Sequence, residues 1–242
     1  GLYRDDQKLK KIPHLKNRVF FHKGDLINQS SLESVIKNSR PDFVFHLAAQ
    51  SNVADSWKEP GVTLQTNAIG TLNLLDAIRT SVVNPTIQIA CSSEQFGFVT
   101  AAQLPVTEDC PFHPLSPYSV SKVSCDLLGY QYFKSYGMNI IRTRAFNHTG
   151  PGQTDSYVCS SFAKKIVEIE KGLKPQIMTV GNLEAVRDFS DVRDVVRAYY
   201  LSVTAGTPGE AYIIASGKGR TIQNVLNILL SLSKIQIQIE VD

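Results

Sequence analysis

The sequence of 242 residues predicts an α/β fold: a parallel sheet flanked by helices, followed by a smaller C-terminal lobe. Three observations carry that prediction. Short apolar runs alternate with amphipathic stretches through the first 150 residues. The runs are continuous rather than alternating, as in strands of a covered parallel sheet. Hydroxyl, amide and carboxylate side chains gather just after the runs end, where an open parallel sheet has its ligand crevice.

Gly1 to Arg4 reads as a strand end entering a loop, and Val19 to His22 as a short strand running into Lys23-Gly24-Asp25-Leu26. Ser30 to Asn38 has helical spacing, with Ser30 or Ser31 as cap and Glu33 close behind. Pro41-Asp42 introduces Phe43 to Leu47, an apolar run that fits a strand covered on both faces. Val62 to Thr80 reads as one long amphipathic helix, and Ile87 to Cys91 as a strand ending at Ser92-Ser93-Glu94. A loop containing Pro105, Pro111, Pro114 and Pro117 leads to a helix through Tyr136, and Asn139 to Arg144 is the next strand. After Gly150-Pro151-Gly152 come a helix near Ser160 to Lys171, a strand at Ile177 to Val180, a helix from Asp191 to Val203, a strand at Ala211 to Ala215 and a helix opening at Thr221. The domains expected are 1–150 and 151–242.

Hydrophobic residues make up 43% of the chain and charged residues 19%, which describes an ordinary globular protein rather than a disordered or fibrous one. A net charge of +3 from 25 basic and 22 acidic residues, with a local basic excess only around Lys8 to Lys23, argues against a nucleic-acid partner. No apolar run approaches the ~18–20 residues of a membrane span. The four cysteines, Cys91, Cys110, Cys125 and Cys159, form no C-x-x-C pair, so free thiols in a reducing, cytoplasmic setting are expected and no metal site.

Tyr118 and Lys122 stand four residues apart at the start of a predicted helix, one turn apart on one face. A fixed ammonium beside a phenol favours phenolate, which suits general acid-base work. Ser92 closes the preceding strand. A serine hydroxyl and a phenol on one carbonyl oxygen polarise it for hydride delivery. Each feature has a plainer reading: a solvated helix face for Tyr118 and Lys122, and a strand-end backbone contact for Ser92.

Further strings join these: Gly24-Asp25-Leu26, His46-Leu-Ala-Ala49, Asn67-Ala-Ile-Gly-Thr71, Ser92-Ser-Glu-Gln-Phe-Gly97, Tyr118-Ser-Val-Ser-Lys122 and Arg144-Ala-Phe-Asn147. With them nearly the whole chain resembles the extended short-chain dehydrogenase/reductase family. Asp55-Ser-Trp57, Phe146-Asn-His-Thr-Gly-Pro-Gly-Gln153 and Val180-Gly-Asn-Leu-Glu-Ala-Val-Arg-Asp-Phe-Ser-Asp-Val-Arg-Asp194 make it most similar to the branch reducing GDP-linked 4-keto-6-deoxyhexoses. The resemblance implies a Rossmann-like dinucleotide-binding domain over 1–150, without its first strand-helix unit, and a mostly substrate-binding lobe over 151–242.

It also implies roles. Asp25 meets the adenine amino group and Arg4 the adenosine ribose, where an arginine suits a 2′-phosphate and favours NADP(H) over NAD(H). Leu26, Ala48, Ala49, Gln50 and Asn67 belong to the cofactor region. Tyr118 protonates the substrate C4 oxygen, Lys122 holds the nicotinamide ribose and lowers the tyrosine pKa, and Ser92 assists. Ser93, Asn147, Lys164 and Arg187 face the substrate, the last three at the GDP diphosphate. His148 is either a nicotinamide neighbour or a loop histidine bonded to backbone. A homodimer through the helices at Val62 to Thr80 and Ser119 to Tyr136 is a family expectation.

The glycine-rich phosphate loop has no counterpart in this sequence, nor does the C-terminal Arg-Pro segment, and the chain reads as an internal portion of a longer enzyme. Two other functions compete. Glu94, two residues after Ser92, stands where the base of a GDP-mannose 4,6-dehydratase would be. A non-catalytic nucleotide-sugar-binding protein would keep the fold without the cofactor.

Overall fold

The computed structural model describes residues 1–4, 12–15 and 17–242, so part of the stretch from Lys8 to Lys23 lies outside the described residues. In chain order the regular elements are β1 (Leu2–Tyr3), β2 (His22–Lys23), α1 (Gln29–Ser39), β3 (Phe43–His46), α2 (Val53–Lys58), α3 (Pro60–Leu64), α4 (Gly70–Arg79), β4 (Thr86–Ala90), α5 (Pro117–Tyr136), β5 (Ile140–Ala145), β6 (Asn147–Thr149), α6 (Val158–Glu170), β7 (Ile177–Val180), β8 (Val186–Asp191), α7 (Val192–Ala205), β9 (Ala211–Ile214), β10 (Gly219–Thr221), α8 (Ile222–Ser231) and β11 (Gln238–Val241).

The chain divides into two compact units. The first takes Gly1–Arg144 and Tyr199–Ile213, the second Ala145–Ala198 and Ile214–Asp242. The passage between them is therefore not a single cut near residue 150, because the second half of α7 and β9 return to the first unit.

In the first unit, β1 and β2 form a parallel pair, and a separate four-stranded sheet has the order β3-β4-β5-β9, with β3, β4 and β5 parallel. Leu32 and Ile36 of α1, Leu74, Leu75 and Ile78 of α4, and Cys125 and Tyr132 of α5 pack on Ile87, Ile89 and Ile140. Each such side chain, fully buried, contributes roughly 1.5–3 kcal/mol. The expectation that β3 is covered on both faces fails: Phe43, Phe45 and Leu47 are 43%, 41% and 54% exposed. Val44 packs on the core and His46 is buried, so only one face is covered.

Two predicted helix starts are also revised. The cap of α1 is Asn28, whose side chain accepts from Ser31 N, rather than Ser30 or Ser31. The long helix expected over Val62 to Thr80 is interrupted by a π-helical turn at Gln65–Ile69, the kind of bulge that recurs at functional sites. By contrast α5 starts as expected. Ser116 caps it reciprocally with Ser119, Pro117 supplies the first turn's fixed φ, and Gly137 ends it in the left-handed region at φ 66°.

The second unit holds a three-stranded sheet of order β10-β8-β6 and a parallel pair of β11 and β7. Phe162 and Ile166 of α6, Met178 and Val180 of β7, and Leu226 of α8 form its core.

Candidate active site

The first turn of α5 puts Tyr118 and Lys122 together, with the Lys122 ammonium 5.9 Å from the centre of the phenol ring. Lys122 is buried and donates to the carbonyl of Ala90, the last residue of β4, at 2.7 Å. That bond ties the helix carrying the phenol to the strand end that leads into Ser92. The buried Tyr199 also lies in this unit. Tyr199 bonds to Thr143, and its hydroxyl is pushed up to about 12 by burial, with the neighbouring Cys91 and Tyr118 adding to the shift. Tyr199 therefore stays protonated at neutral pH.

Ser92 caps the short 3-10 turn Ser93–Phe96. Its Oγ accepts from Glu94 N at 3.2 Å, so the hydroxyl proton remains available to a ligand oxygen. Its own N–H donates to Gln95 Oε1 at 2.9 Å, and Gln95 Nε2 donates to Asp126 Oδ2 at 3.2 Å. Asp126 follows Tyr118 and Lys122 at a second four-residue step along α5, on the same face. Its carboxylate is fully buried and receives Arg142 Nη1 at 2.7 Å and Arg144 Nε at 2.8 Å. Burial alone would raise the Asp126 carboxyl; the hydrogen bonds and charges of Arg144 and then Arg142 outweigh it and hold it below the usual carboxylate range. The turn ends at Gly97, φ 66°, where an added Cβ would sit 1.8 Å from the carbonyl oxygen of His113. The Ser92 turn is thus clamped at both ends.

Asn67, at the centre of the π-helical turn, braces its surroundings through its side-chain amide. It accepts from Gln50 N at 2.8 Å and donates to Gln50 O and Ser121 Oγ, both at 2.9 Å. All of its amide is engaged, and it fastens the loop after β3 to α5. Its own carbonyl accepts from Thr71 Oγ1 and Cys125 Sγ. Because Thr71 gives its proton to that carbonyl, it accepts from His46 Nε2 at 2.8 Å. Burial, with the nearby Lys122, lowers His46 to about 3 and keeps it neutral.

At the other end of the predicted cofactor region, Arg4 and Asp25 are 3.9 Å apart. The Leu26 side chain is buried in the core, so only its backbone is open to a ligand. Ala48 is exposed and Ala49 half-buried. Gln50 Oε1 is buried without a hydrogen-bond partner. Ser93 is half-buried and Glu94 exposed.

In the second unit, Asn147 on β6 pairs with Phe189 on β8, and Arg187 on β8 pairs with Arg220 on β10. Asn147, Arg187 and Phe189 line a cleft of about 310 Å³, walled further by Val158, Phe162 and Ile222. Lys164 is not among the lining residues. It is exposed and paired with Asp155 and Glu168. His148 takes the second of its two expected forms, with Nδ1 3.0 Å from Phe146 O.

A profile described as GDP-mannose 4,6 dehydratase matches residues 3–242. The chain belongs to this family. Its members are extended short-chain dehydrogenase/reductases that modify nucleotide sugars. The GDP-6-deoxy-D-mannose reductase of Pseudomonas aeruginosa is 36% identical over 221 residues, covering 91% of this chain and 72% of that protein. A GDP-mannose 4,6-dehydratase of Yersinia enterocolitica is 33% identical, covering 93% of this chain and 60% of its own length. Among solved structures, RMD from Pseudomonas aeruginosa complexed with NADPH superposes with a TM-score of 0.88 at 32% identity, covering all of this chain and 84% of that one.

Within this GDP-mannose 4,6 dehydratase family member, sequence reasoning missed Gln95, Asp126 and Arg220. The first was legible, because Ser92-x-x-Gln95 is a capping-box spacing. The second follows from the four-residue step beyond Lys122. Arg220 carried no local signal, since its neighbour across the sheet is more than thirty residues away in sequence.

Proposed function

We propose that this chain carries the NADPH-dependent reduction of the 4-keto group of a GDP-linked 6-deoxyhexose, giving a GDP-rhamnose-type product. The observation that carries the reading is the arrangement of the Ser92 turn and the start of α5, joined by the Lys122–Ala90 and Gln95–Asp126 bonds. Ser92 donates a hydrogen bond to the C4 oxygen, and Tyr118 delivers the proton that turns it into a hydroxyl. The Lys122 ammonium stabilises the phenolate left behind until solvent reprotonates it. NADPH, when bound, supplies the hydride to C4.

The residues at the cofactor end suit that group. Arg4 beside Asp25 gives a cation and an acceptor for an adenosine 2′-phosphate and an amino group, and the unpartnered Gln50 oxygen offers an acceptor to a ribose hydroxyl. Asn147 and Arg187 are assigned to the diphosphate; Lys164, held by two carboxylates, is a weaker candidate for it. Ser93 is assigned to the sugar.

The test is NADPH oxidation by the purified protein with the 4-keto-6-deoxy sugar nucleotide. Consumption only in the presence of that substrate supports the reading, and none at all defeats it. A second reading, GDP-mannose 4,6-dehydratase, is favoured by the exposed Glu94 next to Ser92 in the turn. It requires GDP-mannose turnover with no net loss of NADPH.

The assembly we propose is a homodimer, on the exposed Val62 and Ile69 of one helical stretch and Val120 and Leu127 of α5. Light scattering at the monomer mass would count against it. Four free cysteines fit a cytoplasmic protein, which cell fractionation checks.

A further inference from the structure

Arg220 stands directly opposite Arg187 in the antiparallel pair of β10 and β8. Residues so paired project from the same face, with Cβ atoms roughly 4.5–5.5 Å apart. The face is fixed by its other members: Arg187 and Phe189 of β8 line the cleft, as do Ala185 just before that strand and Ile222, two residues beyond Arg220. Like charges at such positions repel, and a sheet keeps them only at a cost. Asp191, the acid on the same face of β8, is taken by Arg193. Asp188 belongs to the opposite face and accepts from Ser216 N and Lys218 N. Arg187 gives one N–H to Val186 O, and Arg220 makes no ion pair among the described residues.

We infer that Arg220, which pairs with Arg187 without itself walling the cleft, is a second anion-binding guanidinium for a ligand held there. Arg187 and Arg220 together take the two phosphates of a nucleoside diphosphate, while the apolar walls of Val158, Phe162, Phe189 and Ile222 take the nucleoside. Two adjacent forks match two charged groups and leave the second unused when the ligand has only one phosphate. Arg220 therefore sets the preference for diphosphate over monophosphate. The inference rests on the nucleotide-sugar reading above and deepens it.

Calorimetric titration with GDP and GMP separates the two. Wild type is expected to bind GDP more tightly than GMP. Arg220→Gln is expected to weaken GDP by about 10-fold or more while moving GMP by less than about 2-fold, with Arg220→Lys recovering part of the loss. The Arg220→Gln thermal midpoint should not fall below wild type, since the side chain is exposed and the facing like charge is relieved. If wild type binds GDP, Arg187→Gln weakens it, and Arg220→Gln leaves it within about 2-fold, the role of Arg220 is wrong and the nucleotide reading stands. If wild type binds neither nucleotide, both fall.

Discussion

The polar groups that brace the Ser92 turn against α5 are buried and bonded to one another, whereas Arg187 and Arg220 of the second unit are exposed and mostly idle. Asp126, Gln95, Asn67 and Lys122 are all buried, and each has its partners in the protein. Arg187 and Arg220 lie at the surface with most of their N–H groups uncommitted. Proton transfer needs fixed geometry, so its supports are built in before any ligand arrives. Capture of an anion needs donors left free for it. On the proposed function, the same residue types, arginine and an amide, serve as scaffold in one unit and as receptor in the other.

The contrast is sharpest at Tyr118. Tyr118→Phe is expected to lower the reduction rate by about 10²–10⁴-fold with GDP affinity unchanged, read from steady-state NADPH oxidation beside a GDP titration. Retained activity would break the assignment of chemistry to the first unit. Next comes the scaffold. Asp126→Asn leaves Arg142 and Arg144 buried without their counter-charge, and urea denaturation should register a loss of about 3–5 kcal/mol. A loss below about 1 kcal/mol would mean that the network is not what holds the turn.

A pH dependence follows from His46. Its folded pKa of about 3 lies below the ordinary 6.5. The unfolded chain therefore binds the proton first as pH falls, and this contribution to stability, complete above about 6.5, is lost progressively down to about 3. Each unit in that window removes up to about 1.4 kcal/mol. Urea midpoints at pH 7 and pH 5 measure it, and His46→Gln should flatten the difference. The smallest effect is expected in the second unit, away from the cleft. Lys164→Ala should change KM by less than about 2-fold, because the ammonium is exposed and already paired. A 10-fold rise would return Lys164 to the diphosphate.

The sequence was most readable where one local pattern decides the outcome. Ser116-Pro117 and Gly137 bracket α5, and the four-residue step from Tyr118 to Lys122 follows from helix geometry. The strand Ile177–Val180 has the expected bounds, and Ile140–Ala145 lies within one residue of the expected Asn139 to Arg144. What stayed hidden depends on distant pairing. The three short strands β6, β8 and β10 have no periodicity of their own and exist because they pair with one another. Asn67 looked like a ligand residue because its motif is shared, yet its amide is consumed by Gln50 and Ser121. The one-sided burial of β3 was invisible for a related reason: Phe43-Val44-Phe45 is apolar on both faces, and composition says nothing of what is there to cover them.

That edge strand has a consequence for how this 242-residue chain behaves in bulk. Among the described residues β3 bonds to β4 alone, which leaves one row of backbone groups open beside Phe43 and Phe45. An unblunted apolar edge is a template for another strand. Recovery from denaturant should therefore decline as chain concentration rises, with turbidity tracking the lost fraction. Phe45→Lys, a charge placed on that edge, should restore the yield; if it leaves the turbidity unchanged, aggregation starts elsewhere.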